Sequence, residues 1–64
     1  MKPADAIALA MKREEEAMDM YKEFAAISID EGQKETFLSL ATMEQGHKTK
    51  LEDLYVGTAF PEVW

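Results

Sequence analysis

Three ionisable side chains stand where apolar ones are expected. Glu14, Glu44 and His47 interrupt stripes of hydrophobic residues at helical spacing. A buried carboxylate without a partner is costly, so such groups are normally neutralised, paired or bound to a metal ion. Glu44 and His47 are separated by two residues, which on a helix puts a carboxylate and an imidazole on one face, a turn apart. Carboxylate oxygens with one imidazole suit iron or manganese, and zinc also binds such a set. The chemistry within reach of these residues is that of a divalent-metal centre, with all three as ligands and as the catalytic groups.

Taken singly, each has an ordinary explanation. A lone histidine in a seam is more often a satisfied core residue, and a lone E-x-x-H arises by chance in many helices. A lone glutamate on an apolar stripe can reach solvent at a helix edge. Their common height reverses that preference. In an antiparallel hairpin, facing residues are equidistant from the turn. The midpoint between Glu14 and Glu44 is position 29, and that between Glu14 and His47 is 30.5. The chain's one internal break, Ser28-Ile29-Asp30-Glu31-Gly32, falls at the same place. Tyr21, two helical turns from Glu14 on the same face, adds a phenol able to hydrogen-bond a ligand carboxylate. Met11 and Met18 are read as packing. Of Glu14-Glu15-Glu16, only Glu14 faces inward.

The elements that must position these groups are two helices. Pro3 and Pro61 bracket the chain, and Pro3 suits a first helical turn, where a missing N–H costs nothing. Good helix formers without glycine or proline predict helix one over about 3–29. Asp30 followed by Gln33 resembles a capping box for helix two, with Gly32 as the alternative cap. Gly57 is the expected C-cap, giving helix two over about 32–56 and a tail at 57–64. The short connection makes the helices antiparallel.

Apolar spacing marks the buried faces. Ile7, Met11, Glu14, Met18, Tyr21 and Ala25 form the expected seam of helix one. Phe37, Leu40, Glu44, His47, Leu51 and Leu54 form that of helix two. Helix one has a second apolar flank, Leu9, Ala17, Met20, Phe24 and Ile27. One neighbouring helix cannot cover both, so further helices must come from another chain.

Composition narrows the function. With 64 residues the chain holds one domain at most, and chains this short rarely stabilise themselves with one core unless a disulfide, a metal or oligomerisation helps. It has no cysteine, which removes disulfides and thiolate metal sites. A net charge of −6 disfavours nucleic acid and anionic membrane as partners. No apolar run approaches a membrane span, and Asp5 interrupts any secretory-type start, so a cytoplasmic location, or a protein compartment filled from the cytoplasm, is expected.

The stretches KREEEAMDMYKEF (12–24) and FLSLATMEQGHKTKL (37–51), with Glu14-x6-Tyr21 and Glu44-x2-His47, resemble the first two helices of the ferritin-like superfamily, especially rubrerythrin-type proteins. The similarity covers about residues 4–55. It implies an all-α, antiparallel hairpin that is half of a four-helix bundle, completed by dimerisation. It also implies two irons per dimer, with Glu14 a terminal ligand, Glu44 bridging, His47 terminal and Tyr21 behind them. Relatives usually carry a second E-x-x-H in the same chain, and here there is none. The cysteine-ligated iron of rubrerythrins proper has no ligands here either. A half-length, split arrangement also resembles the encapsulated ferritins, although Met20 stands where those have tryptophan and the tail is shorter.

The resulting expectation is a homo-oligomeric di-iron protein, or its manganese counterpart, that oxidises ferrous iron or reduces peroxide or dioxygen at an inter-subunit site. A shell or an electron-donor protein is a further expected partner. The rival reading is a non-enzymatic acidic helical hairpin that docks a partner's helices. The tail residues Phe60, Pro61, Val63 and Trp64 are expected to pack over the bundle end, with docking to a larger partner or shell as the alternative.

Overall fold

A computed structural model describes residues 1–60. Two helices, α1 (Pro3–Ile27) and α2 (Glu31–Ala59), pack antiparallel along their whole length. Pro3 occupies the first turn of α1, and the Ala6 N–H donates to Lys2 O at 3.0 Å. α1 stops two residues short of the expected 29. Ser28 is extended, its N–H donates to Ala25 O, and its hydroxyl donates to Phe24 O at 2.7 Å, so freed carbonyls at the helix end find donors.

Asp30 caps α2: its carboxylate accepts the Gln33 N–H at 3.3 Å. This is the backbone half of the expected capping box, and it places Gly32 inside the first turn instead of at the cap. At the other end, the expectation for Gly57 is corrected. The helix runs through it to Ala59, and no described glycine has positive φ. Nothing obstructs this continuation, since a Cβ at Gly57 would meet no atom within 4 Å. Phe60 ends the helix, its N–H donating to Val56 O, and its ring lies edge-on to Tyr55 at 6.4 Å. Pro61 to Trp64, and the packing expected of them, lie outside the described residues.

The α1 seam is as expected, with Met18 and Ala25 buried between the helices. The α2 seam differs. Ala41, Lys48 and Tyr55 face α1 beside Phe37, Glu44 and Leu51, while Leu54 is 54% exposed and the His47 side chain 51%. Positions 37–41–44–48–51–55 form a three-four pattern just as 37–40–44–47–51–54 does. The small Ala41 lets the helices approach, and Lys48 reaches Glu15 at 3.6 Å on one face of the hairpin. The Leu40, His47 and Leu54 line is thereby turned toward the other face.

That other face is apolar and uncovered. Leu9, Met20, Phe24 and Ile27 of α1 and Met43 and Leu54 of α2 all remain exposed. Only Met18, Ala25 and Ala41 are buried among the described residues. The radius of gyration is 15.1 Å, against about 11 Å for a compact chain of this length. The hairpin is a single layer of helix.

Candidate metal centre

Glu14 sits halfway along α1 on the line that faces α2, flanked by Met11 and Met18. Glu44 belongs to both apolar lines of α2, so its carboxylate lies between the helices and still reaches the uncovered face. His47, three residues on, stands at the edge of that face. The register expected from the turn is the one observed: Tyr21 stacks on Phe37 at 6.5 Å and Phe24 meets Phe37 edge-on at 5.3 Å.

One ligand atom from each of Glu14, Glu44 and His47 lies within 4.8 Å of the other two. His47 Nδ1 is 3.5 Å from Glu44 Oε2 and 3.7 Å from Glu14 Oε2. Both separations are too long for hydrogen bonds. Glu14 Oε2 is buried and has no hydrogen-bond partner. Three groups therefore converge without satisfying one another, two of them carboxylates that repel. Donors that share a first-row cation at roughly 2.1 Å stand roughly 3–4 Å apart, so the spacing and the orphaned oxygen both fit a metal ion.

Tyr21 is not brought to this group. It lies two turns along α1, about 10 Å in rise, with its ring on Phe37. Among the described residues its hydroxyl donates to none of the three candidate ligands. Apolar periodicity alone did not mark Lys48 as a seam residue. It is the one lysine that is half-buried, and it points its ammonium to Glu15, away from the uncovered face. A search for pairs equidistant from the turn would have found it, since 15 and 48 straddle 31.5.

Among the described residues no helix is long and apolar enough to cross a membrane. Neither the curated proteins nor the solved structures compared with the chain yield a match. A protein-family model does match, that of rubrerythrin, over residues 3–56. The matched span holds nearly all of both helices and the three converging side chains. With so much of its 64 residues covered, the chain belongs to the rubrerythrin family and is a ferritin-like, rubrerythrin-type domain.

Proposed function

We propose that two copies of this hairpin close into an antiparallel four-helix bundle that holds two iron ions between them. Ferrous iron is oxidised there, or peroxide or dioxygen reduced. The observation that carries this reading is the group formed by Glu14, Glu44 and His47, with its unpartnered buried oxygen, opening on an apolar face. Membership of the rubrerythrin family supports iron as the metal, with manganese or zinc acceptable to the same donors.

Area supports the second copy. A compact monomer of 7.3 kDa exposes roughly 4,200 Å². This hairpin exposes 5007 Å². The difference reflects an elongated hairpin with one apolar face left uncovered.

Two copies contribute four carboxylates and two imidazoles. Four negative charges balance two divalent cations, which offsets the cost of gathering carboxylates in an apolar interior. Bound iron supplies the electrons that oxygen or peroxide takes up. Glu14 and Glu44 would hold the metal through carboxylate oxygens, and His47 would add an imidazole nitrogen. Met11, Met18 and the apolar face exclude water around them. Tyr21 is left to hydrogen-bond a carboxylate supplied by the second copy.

Because the centre needs two chains, ferrous oxidation per chain should rise with protein concentration through the dimer transition seen by sedimentation. Oxidation per chain that is constant across that transition contradicts an inter-subunit centre. A folded dimer that binds no divalent metal leaves the non-enzymatic docking module as the reading.

A further inference from the structure

The turn end of the hairpin carries apolar surface that its own chain does not cover. Phe24, Ile27, Ser28, Ile29, Gln33 and Phe37 line an open groove of about 390 Å³. Ile29 is fully exposed and Ile27 79% exposed. At the opposite end, Phe60 is 70% exposed, and Pro61, Glu62, Val63 and Trp64 follow it in sequence. Within one chain these ends cannot meet. α2 spans about 43 Å at 1.5 Å per residue, and five residues from Phe60 reach at most about 18 Å.

The mid-length position of the centre favours one arrangement of a second copy over the groove. Glu14 stands 14 residues before Ser28, and Glu44 stands 13 residues after Glu31 and 15 before Ala59. The centre is therefore about 20 Å from the turn and about 22 Å from the end of α2, close to mid-length. A two-fold axis along the helices would bring two centres level at any height. An axis across the helices does so with full overlap only when the centre is at mid-length. With that axis, the partner's α2 ends within about 2 Å of the height of this turn. Packed helices lie about 8–10 Å apart, well inside the reach of the tail.

We propose that residues 60–64 of one copy dock in the turn-end groove of its partner, twice per dimer. The docking rests on the dimer proposed above. An apolar groove receives the aromatic and apolar side chains Phe60, Val63 and Trp64, with Glu62 left to solvent, and the exposed isoleucines of the turn become buried contacts.

Trp64 is the only tryptophan, so its fluorescence reports the tail directly. In the full-length dimer its emission maximum should lie to the blue of that of the unfolded chain. Ile29→Asp should return the maximum to the unfolded-chain value while sedimentation still shows two chains. Should the added charge dissociate the dimer, Ile29→Ser removes the apolar contact without it and is read in the same way. Ile29 and Trp64 of one chain belong to opposite ends of the hairpin, so only a partner can transmit the change. A dimer whose Trp64 emits as in the unfolded chain, or whose blue-shifted emission ignores both substitutions, overturns the docking and leaves the dimer standing. A chain that sediments as a monomer overturns the dimer and the docking together.

Discussion

At the scale of the residue, the two substitutions that discriminate best are at His47 and Glu14. The His47 ring is half exposed and no described residue hydrogen-bonds it, so His47→Leu breaks no hydrogen bond in the hairpin. Metal-free helicity and melting temperature should hold or rise, while iron binding and oxidation fall steeply. Thermal unfolding without metal, run beside an iron oxidation assay, checks both halves. A destabilised variant with undiminished oxidation would exclude His47 as a ligand. Glu14→Gln removes a charge whose buried oxygen has no partner. It should stabilise the metal-free protein, by about 1 kcal/mol, and remove most of the stabilisation that iron confers. Calorimetry with and without ferrous iron should therefore show shifts of opposite sign. The convergence of Glu14, Glu44 and His47 was legible in the sequence because costly side chains on apolar stripes were level across a recognisable turn. The exposure of His47 was not legible, because α2 carries two overlapping apolar lines and periodicity alone does not say which one faces α1.

At the scale of the element, the helices follow from capping and propensity, and the points of difference test that statement. Asp30→Ala should cost about 1 kcal/mol, the usual worth of an N-cap whose carboxylate accepts a backbone N–H, measured by thermal unfolding. Gly57 gives a prediction whose sign matters. As a left-handed C-cap it would resist replacement, but here it is helical with open space around it, so Gly57→Ala should stabilise by up to about 1 kcal/mol. A loss of stability would restore the shorter helix that Gly57 suggests from sequence. The end of α2 was misread because glycine marks a C-cap only when its backbone turns left-handed, and that is not written in the residue type. The turn was read correctly within two residues because Asp30 and Gln33 lie at capping distance and Ser28 supplies donors to the end of α1.

At the scale of the whole molecule, the hairpin leaves an apolar face uncovered. Its single-layer shape, the three buried residues among those described and its exposed apolar face all follow from two helices with two apolar flanks on α1 and one neighbouring helix to cover them. That one neighbouring helix leaves apolar surface uncovered was legible from the width of the apolar arc on α1. Leu54→Asp places a charge on the uncovered face, at a residue 54% exposed and about two turns from His47, the nearest candidate ligand. It should leave the hairpin helical, shift sedimentation toward the monomer, and lower iron binding in parallel although no candidate ligand is touched. Retained iron binding by a monomeric Leu54→Asp chain would place the centre within one hairpin. The most direct measurement is ferrous iron titration of the native chain in the analytical ultracentrifuge, where bound metal and mass are read together. Saturation at about one iron per chain on a species of two chains, as a two-metal centre between copies requires, is the result expected. A folded species that takes up no iron, or a monomer that saturates with its full complement, would contradict it.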